Sequence, residues 1–380
     1  MVTATGNVVA VDLRTLRRHP DVEGPGLSAY DAADRLILDE AASSISAAPA
    51  GTTVVIDDSY GALALSVVDA GGSDVRVHQD LVTGERALSE NAARLDLGGA
   101  ARSGPLTPEL VDGATVVLLR LPRSLGRLDE VAGLIGRYAD PAVHVFAGGR
   151  IKHMSPAMND VLRTYFSRVD VSHARQKSRV LTATGPLPGV ESRWPQRAPH
   201  SDLGLTLVAH GGVFAGTKVD VGTRFLLEQL DAAVPSASGA VDLACGNGIV
   251  GAWLAMRRPT ILVSACDRSA AAVASARLTA TANGVGGRVD VVQADGLEHL
   301  DDASAELIVL NPPFHADAAL STGIATHLFA DAARVLAPGG ELWCVWNSHL
   351  RYRGALERIV GPTRQIARNP KFTVTASRRV

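Results

Sequence analysis

Short runs of β-branched residues alternate with alanine-rich amphipathic stretches along the chain, and the whole alternation occurs twice. Strands separated by helix-length segments are typical of crossover units, which build a parallel sheet with helices on its faces. With 380 residues the chain can form two such units, each with its own core. The sequence therefore predicts an α/β protein made of two tandem Rossmann-like units. The strand candidates are residues 52–58, 74–80, 114–122 and 142–149 in the first series, and 239–246, 261–267, 288–295, 305–313 and 340–347 in the second.

A proline-rich stretch separates the two series. Residues 184–202 contain four prolines and show little periodicity, which is typical of a linker. We therefore predict one domain over residues 1–183, a linker over 184–202 and a second domain over 203–380.

The two series also align with each other. Asp57 aligns with Asp242, Asp80 with Asp267, and Pro122 with Pro313, at a nearly constant offset, which indicates an internal duplication. The first copy lacks the second glycine of the turn at residues 246–248, and it has "LLRLPRS" where the second copy has "VLNPPF". We expect the first copy to have kept the fold and lost the site, and to bind no cofactor.

The bulk composition limits the class of protein. Hydrophobic residues make up 46% of the chain and charged residues 20%, as in ordinary globular proteins, and no apolar run is long enough for a membrane helix. We expect a cytoplasmic protein without a membrane segment. The three cysteines, Cys245, Cys266 and Cys344, are too few for a disulfide framework and too far apart for a zinc pair, so we interpret them as reduced core thiols and predict no metal site.

The second series carries features of an adenosine site at the ends of three strands. Gly246-x-Gly248 lies between a strand and an apolar helix, where glycines let the backbone approach a ligand. Asp267 ends the next strand, from which a carboxylate can accept hydrogen bonds from ribose hydroxyls, and Asp295 ends the third strand. Each feature alone could be a tight turn or a helix cap, but together they indicate an adenosine ligand.

Two adenosine cofactors fit the glycines, because the spacing to Gly251 also satisfies the dinucleotide pattern. The fourth strand decides for S-adenosylmethionine, since it ends in Asn311-Pro312-Pro313-Phe314. A planar amine is a poor nucleophile, and the Asn311 side-chain oxygen with the Pro312 carbonyl could accept its two N–H groups and direct its nitrogen. Prolines would fix the turn and Phe314 would stack on the planar substrate. The alternative is a strand end followed by a rigid loop.

These residues resemble the class I S-adenosylmethionine-dependent methyltransferases that act on planar exocyclic amines, which carry Asn, Asp or Ser before Pro-Pro-Tyr or Pro-Pro-Phe. The closer resemblance is to the bacterial ribosomal RNA guanine-N2 methyltransferases, which are tandem duplications with a degenerate first domain. It implies two class I methyltransferase domains, the first degenerate, and methyl transfer to guanine N2 in 16S or 23S RNA. The segments that carry it are residues 148–156, 213–230, 311–315, 336–356 and 369–374.

The resemblance also implies roles for individual residues. It places Asp242, Cys245, Gly246 and Gly248 at the methionine end of the cofactor, Asp267 at the ribose, Ala294 and Asp295 at the adenine, and Asn311, Pro312, Pro313 and Phe314 at the guanine amine, with Asn311 also beside the cofactor. His315 is expected to position the loop or the RNA rather than to act as a base.

One residue departs from the family pattern. Ala244 stands where the family has the first glycine of its turn. Because an alanine adds only one methyl group and tolerates the φ of a strand end, we expect cofactor binding to survive, somewhat weakened.

Two basic segments are candidates for RNA contact. Residues 351–379 contain eight Lys or Arg and one acid, Glu357, and residues 163–179 contain five and one acid, Asp170. Such segments can neutralise phosphates, although many are simply solvated faces. Since the degenerate domain keeps "HARQKSR" at residues 173–179, we hypothesise that it positions the RNA. The expected partner is ribosomal RNA or a ribosomal subunit, bound by a monomer.

Other functions stay open at this point. A protein glutamine N5 or an adenine N6 is also a planar amine, although the glutamine enzymes resemble a small helical domain joined to one catalytic domain. A non-catalytic RNA-binding or ribosome-assembly factor is disfavoured by the intact motif at Asn311. A dehydrogenase is the least favoured class, because nothing near Asn311 offers hydride chemistry.

Overall fold

The computed structural model describes residues 11–313 and 318–380, with the side chains of residues 318–322 left out. The chain forms two compact units, an N-terminal unit that ends at Trp194 and a C-terminal unit that begins at Pro195. This boundary lies inside the predicted linker, residues 184–202. That stretch is not wholly irregular, because strands cover Ser178–Pro186 and Gln196–His200.

The N-terminal unit is a seven-stranded sheet covered by helices. Its strand order is β3-β2-β1-β4-β5-β7-β6, in which β1 to β5 are parallel, β7 is antiparallel to β5 and β6 is antiparallel to β7. The strands are β1 (Thr53–Ile56), β2 (Val75–His78), β3 (Ala101–Ser103), β4 (Val116–Arg120), β5 (His144–Arg150), β6 (Phe166–Val171) and β7 (Ser178–Pro186). The helices are α1 (Ala32–Ala47), α2 (Ala62–Asp69), α3 (Val82–Arg94), α4 (Pro108–Val111), α5 (Leu125–Tyr138) and α6 (Pro156–Tyr165).

The C-terminal unit begins with a hairpin and repeats the same sheet. Strands β8 (Gln196–His200) and β9 (Leu205–Ala209) pair with each other, and the large sheet follows in the order β12-β11-β10-β13-β14-β16-β15. Its strands are β10 (Gly239–Leu243), β11 (Leu262–Asp267), β12 (Val289–Gln293), β13 (Ala305–Leu310), β14 (Leu336–Asn347), β15 (Thr363–Arg368) and β16 (Phe372–Arg378). The helices are α7 (Val221–Leu227), α8 (Ile249–Arg257), α9 (Ala270–Ala282), α10 (Ala318–Val335) and α11 (Arg353–Ile359).

The central strands are buried on both faces, which explains their continuous apolar runs. In β13, Leu307 and Val309 belong to the core on one face, while Ile308 and Leu310 belong to the core on the other. Both sheets have the same strand order and the same antiparallel pair at one edge, so the predicted duplication and the predicted fold class are confirmed. Within the described part of the chain, no helix has the length and apolarity needed to span a membrane.

The register of the two sheets corrects one detail of the alignment. Ile56 pairs with Leu119 in the N-terminal unit as Leu243 pairs with Leu310 in the C-terminal unit, and both Ile56 and Leu243 end their strands. The alignment of Asp57 with Asp242 is therefore wrong by two residues, because Asp57 corresponds to the residue after Leu243. By contrast, the same register confirms the alignment of Pro122 with Pro313.

The second strands show a similar slip. His78 pairs with Ile56, and Cys266 pairs with Leu243, so His78 and Cys266 correspond. The counterpart of Asp267 is then Gln79 rather than Asp80. An aspartate stands near the end of each of these strands, Asp80 after β2 and Asp267 at the end of β11. The two aspartates therefore look equivalent in the sequence although they differ by one residue in register.

Candidate active site

A pocket lies at the carboxyl ends of β10 and β13 in the C-terminal unit, where polar side chains from different elements meet. Four of the predicted site residues line it, namely Asp242, Cys245, Gly246 and Asn311. Ligands of open α/β sheets bind at this edge. The structure therefore brings together the glycine turn and the first residue of the Asn-Pro-Pro motif.

Backbone hydrogen bonds hold the glycine turn in place. The backbone N–H of Gly246 donates to Asp267 Oδ2 at 3.0 Å, and the N–H of Gly251 donates to Asp242 Oδ2 at 2.8 Å. Burial raises the pKa of Asp242 to about 7, although the bond from Gly251 lowers it in part. The carboxyl group of Asp242 thus titrates near neutrality when no ligand stabilises its charge.

Ala244 has a left-handed backbone conformation, with φ of 57°. The expectation of a strand-end φ at this residue is therefore wrong, while the expectation that cofactor binding survives stays a prediction. A non-glycine residue in this region is strained by the approach of its Cβ to the following carbonyl oxygen. The first position of the turn thus requires a glycine-like conformation, and this chain adopts it with an alanine.

The two glycines of the turn have different structural roles. A Cβ on Gly248 would lie 2.6 Å from the Ala276 Cα, so this glycine allows α8 to pack closely on α9. A Cβ on Gly246 would have no atom of a described residue other than its chain neighbours within 4 Å, so its missing side chain leaves space in the pocket instead.

The residues predicted to hold the adenosine follow β11 and β12. Asp267 Oδ1 accepts a hydrogen bond from the Ser269 N–H at 2.9 Å, and its carbonyl accepts one from the Ala294 N–H at 3.1 Å. The Asp295 N–H donates to the Glu298 side chain at 3.0 Å. Asp267 and Ala294 therefore lie side by side at the same sheet edge as the glycine turn, with Asp295 next to them in the chain.

Asn311 is held by two residues that the sequence analysis did not assign to the site. Its Nδ2 donates to Thr223 Oγ1 at 2.9 Å and to Asp220 Oδ2 at 3.3 Å. Asp220 is the N-cap of α7 and also accepts from the Thr223 N–H at 2.9 Å. Because a carboxylate can only accept, Asp220 fixes which end of the amide carries the nitrogen.

This arrangement leaves the other end of the amide without a partner. Asn311 Oδ1 is buried and accepts no hydrogen bond from any of the residues that the structure describes. A buried acceptor that is left unsatisfied costs about 1–3 kcal/mol. The site therefore presents a pre-oriented acceptor that a ligand N–H would satisfy.

The rest of the motif is described in part. Pro312 is buried and Pro313 is exposed, in the irregular segment that follows β13. The predicted roles of Phe314 and His315 fall on residues outside those described.

The charge of the pocket favours a cationic ligand group. Its lining contains the carboxyl groups of Asp220 and Asp242, and no Lys or Arg among the residues placed around it. Burial raises the pKa of the Cys245 thiol well above its usual range, so the thiol is neutral and unreactive. A pyrophosphate would meet two carboxyl groups here and no cationic side chain among the described residues, which disfavours a dinucleotide.

The sequence did carry a signal for the two missed residues. Asp220 stands immediately before an apolar helix and Thr223 lies three residues later in its first turn, which is an N-cap pattern. That pattern predicts a helix start but not a contact with Asn311, because the two segments are 88 residues or more apart in the chain.

The equivalent site of the N-terminal unit has been replaced by ion pairs. Arg120 stands at the position of Asn311, and its Nη1 lies 2.7 Å from both oxygens of Asp34. Its Nη2 lies 3.3 Å from Asp31, the N-cap of α1. Burial opposes the charge of Arg120, but Asp34, Asp31 and Asp58 more than offset this effect and raise the pKa of its guanidinium.

A second ion pair crosses the former glycine turn of this unit. Arg127 Nη2 lies 3.2 Å from Asp57 Oδ1 and 2.9 Å from His78 Nε2. Burial, together with Arg127, lowers the pKa of His78, so this histidine is a neutral acceptor for the guanidinium. The copy has thus kept the sheet and replaced the polar groups of the site.

The basic segment at residues 351–379 is not a uniform cationic face. Arg364 pairs with Glu341 through distances of 2.6 and 2.8 Å, and Arg379 donates to backbone carbonyls of Arg334 and Leu336. Several of its charges therefore hold β14, β15 and β16 together.

Family models match both units. The "Methyltransferase small domain" model matches residues 204–376, and the "RLMG N-terminal domain" model matches residues 8–186.

Relatives match nearly the whole chain. The ribosomal RNA large subunit methyltransferase G of Pseudomonas aeruginosa is 36% identical, covering 94% of this chain and 96% of its own. The protein of the same name from Streptomyces griseus is 35% identical, covering 94% of this chain and 95% of its own. The chain belongs to the ribosomal RNA large subunit methyltransferase G family. Membership of this family confirms the predicted resemblance to ribosomal RNA methyltransferases and the enzyme class.

A solved structure agrees with the fold of the family. The 16S rRNA N2 methyltransferase of T. thermophilus, solved in complex with AdoMet and guanosine, superimposes with a TM-score of 0.74 at 22% identity. The match covers 94% of this chain and 97% of that one. Two tandem methyltransferase domains are therefore confirmed for this member of the family.

Proposed function

We propose that this chain transfers a methyl group from S-adenosylmethionine to the exocyclic N2 amine of a guanine in the RNA of the large ribosomal subunit. The family membership supports the RNA substrate and the large subunit, through the names of the relatives. The AdoMet and guanosine bound by the T. thermophilus structure support the cofactor and the base.

The observation that carries the proposal is the free oxygen of Asn311. Its nitrogen is tied to Thr223 and Asp220, so the amide cannot turn, and its buried oxygen accepts no bond from the described residues. An exocyclic amine has two N–H groups and a lone pair delocalised into the ring. A fixed acceptor for one N–H orients the nitrogen and satisfies the orphaned oxygen at the same time.

The residues of the pocket fit S-adenosylmethionine. This cofactor carries an ammonium and a sulfonium, and the pocket offers the carboxyl groups of Asp220 and Asp242 with the open space beside Gly246. Asp242, Cys245, Gly246 and Gly248 would hold its methionine end. Asp267 would hold its ribose, and Ala294 with Asp295 its adenine.

When bound, the cofactor supplies an electrophilic methyl group. The chain supplies orientation, since Asn311 Oδ1 and the Pro312 carbonyl would each accept one N–H of the amine. Phe314 would stack on the guanine. A strong base is not needed, because the amine nitrogen becomes acidic once it carries the methyl group and can release its proton to water.

The N-terminal unit is proposed to position the RNA without binding cofactor. Arg120 stands at the position of the acceptor amide, and it is already paired with Asp34 and Asp31. Gln79 stands at the position of Asp267, where a ribose would need a carboxylate. These replacements remove the groups on which both ligands of the reaction would depend.

Methyl transfer tests the proposal directly. Labelled S-adenosylmethionine is incubated with total ribosomal RNA and with each ribosomal subunit from cells that lack the gene, and the labelled nucleosides are identified. We expect N2-methylguanosine in the large-subunit RNA. Asn311→Ala should abolish the label, while Asn159→Ala on α6 of the other unit, a matched control, should not. Label in adenosine or in a protein glutamine would overturn the proposed substrate, and bound cofactor without any transfer would overturn the reaction.

A further inference from the structure

The N-terminal unit has a polar pocket that the proposed reaction does not use. It is lined by Tyr30, Asp31 and Arg35 near the start of α1, by Arg150 at the end of β5, and by Gln176 in the turn between β6 and β7. The equivalent edge of the C-terminal unit carries the candidate active site. The pocket therefore lies in the part of the N-terminal unit that corresponds to the substrate side of the candidate active site.

The end of β5 corresponds closely to the end of β14. Ile151 follows Arg150, and its backbone N–H donates to the Lys177 carbonyl at 2.9 Å. Ser348 follows Asn347, and its backbone N–H donates in the same way to the Lys371 carbonyl, also at 2.9 Å. Arg150 thus stands at the position of Asn347.

Further cations stand along this edge at positions where the C-terminal unit has other polar residues. Arg120 stands at the position of Asn311. Lys152, which follows Ile151 and is exposed, stands at the position of His349. The catalytic copy keeps amides at two of these positions, whereas the N-terminal copy has arginines. The N-terminal unit thus has arginine or lysine where the C-terminal unit has two amides and a histidine.

Two arginines of the pocket have donors to offer. Arg150 is half-buried, and its Nε is buried without a hydrogen-bond partner among the residues that the structure describes. Arg35 is exposed, and its guanidinium lies 4.9 Å from the centre of the Tyr30 ring with one bond to the Tyr30 hydroxyl. The single carboxylate of the lining, Asp31, is already paired with Arg120.

The positive field extends around the pocket. Burial lowers the pKa of His153, and the neighbouring charges of Arg123, Lys152 and Arg150 lower it further. Lys177, in the same basic turn as Gln176, is exposed. A single small anion would use only part of this surface, whereas a polyanionic backbone matches its extent.

We propose that this pocket binds a backbone phosphate of the RNA substrate, with Arg150 and Arg35 as its donors. The proposal rests on the proposed function, since it assigns the binding of the same RNA to residues of the N-terminal unit. A guanidinium presents a planar fork of N–H groups that matches phosphate oxygens.

RNA affinity measured on the full chain tests this site. Binding of a large-subunit RNA fragment is titrated over a range of salt concentrations for the wild type, Arg150→Gln, Arg35→Gln and Arg150→Lys. The control is Arg137→Gln, an exposed arginine at the end of α5, on the opposite edge of the same sheet. Melting temperature and S-adenosylmethionine affinity are measured in parallel, and inorganic phosphate is tested as a competitor.

We expect Arg150→Gln and Arg35→Gln to weaken RNA binding several-fold and to lower the salt dependence by about one counterion each. Arg150→Lys should recover part of the affinity, and the control should match the wild type. Cofactor affinity should be unchanged throughout. RNA affinity and salt dependence equal to those of Arg137→Gln would overturn the site, as would a site that binds inorganic phosphate but leaves RNA affinity unaffected.

Failure of the proposed function would look different. RNA binding that depends on Arg150 and Arg35, without methyl transfer, would overturn the proposed reaction and support the phosphate site. Methyl transfer with RNA affinity independent of Arg150 and Arg35 would do the reverse.

Discussion

Arg120 and Asn311 occupy the same position in two equivalent sheets. Arg120 follows Leu119, which pairs with the last residue of β1, and Asn311 follows Leu310, which pairs with the last residue of β10. Both are held by the first turn of the helix that comes before the first strand of their sheet, α1 or α7, through its N-cap and the residue three positions later. These are Asp31 and Asp34 in one unit and Asp220 and Thr223 in the other. One scaffold thus carries a charged pair in one copy and a neutral acceptor in the other.

The contact from Thr223 to Asn311 should affect catalysis rather than binding. Thr223→Val keeps the shape of the side chain but removes the acceptor, so the amide loses one of the two bonds that orient it. We expect kcat to fall about 10- to 100-fold with the KM for S-adenosylmethionine unchanged, because small misplacements of reacting groups have effects of that size. Thr223→Ser should restore most of the activity. A raised KM with normal kcat would assign Thr223 to cofactor binding instead.

The ion pair of Arg120 should stabilise the N-terminal unit. The side chain of Asp34 is fully buried, so Arg120→Met leaves a buried carboxylate without its cation. Removing one partner of a buried pair costs about 3–5 kcal/mol. We expect a fall of this order in the unfolding free energy from urea denaturation, and a large recovery in the double variant Arg120→Met, Asp34→Leu. Equal losses in the single and double variants would show that the pair does not account for the effect.

Gly246 and Gly248 should respond differently to the same substitution. Gly248→Ala forces a Cβ to within 2.6 Å of the Ala276 backbone, so we expect a loss of stability of about 3 kcal/mol. Gly246→Ala brings its Cβ near no described residue beyond its chain neighbours, so its stability loss should be nearer to about 1 kcal/mol while its cofactor affinity falls. Thermal unfolding and calorimetric titration separate the two effects, and identical profiles for both variants would contradict the assignment.

Replacing Ala244 by glycine should relieve backbone strain. A left-handed alanine costs about 1–2 kcal/mol, and glycine loses about 0.5–1 kcal/mol more entropy on folding, so a net gain of about 0.5–1 kcal/mol is expected. Ala303→Gly is a matched control, since Ala303 has φ of 56° in an exposed turn away from the pocket. Both variants should be more stable in urea denaturation, but only Ala244→Gly should bind the cofactor more tightly. Unchanged affinity would show that the strain is not coupled to the site.

Cofactor affinity should depend on pH through Asp242. Its pKa is raised to about 7 by burial in the free protein, and a cationic ligand beside it favours the charged carboxylate. Binding then releases a proton, so affinity should rise as the pH increases from about 5 to about 8 and level off above the pKa of the free protein. Asp242→Asn should bind more weakly and lose this dependence in calorimetric titrations. The same slope in the variant would assign the proton to another group.

The sequence predicted the parallel strands except β3, because the apolar runs of the others report burial on both faces, whereas β3 is short and largely exposed. It did not reveal the antiparallel pair at the sheet edge. Strand β16 is buried almost throughout, yet it carries Thr373, Thr375 and Ser377. The Ser377 hydroxyl lies 2.8 Å from that of Thr363, so these two polar side chains satisfy each other inside the sheet. A pattern based on hydrophobicity interprets such a strand as a loop.

The site was predicted in part for a similar reason. Asn311, Asp242 and Gly246 follow strands and appear in recognisable local patterns. Asp220 and Thr223 act through a contact between distant segments, and the left-handed φ of Ala244 is a property of the backbone that the residue type conceals. Local patterns in the sequence do not show contacts between distant segments, and they do not show residues whose backbone conformation is unusual for their type.

The shared position of Asp34 and Thr223 constrains how the two copies could diverge. Starting from like copies with a neutral residue there, an aspartate introduced first would have been buried without a counter-charge. In the present structure, replacing Arg120 alone leaves the buried Asp34 without its cation, so the pair is difficult to undo one residue at a time. An acceptor amide at position 120 therefore requires a second replacement at Asp34, so that no buried carboxylate is left unpaired.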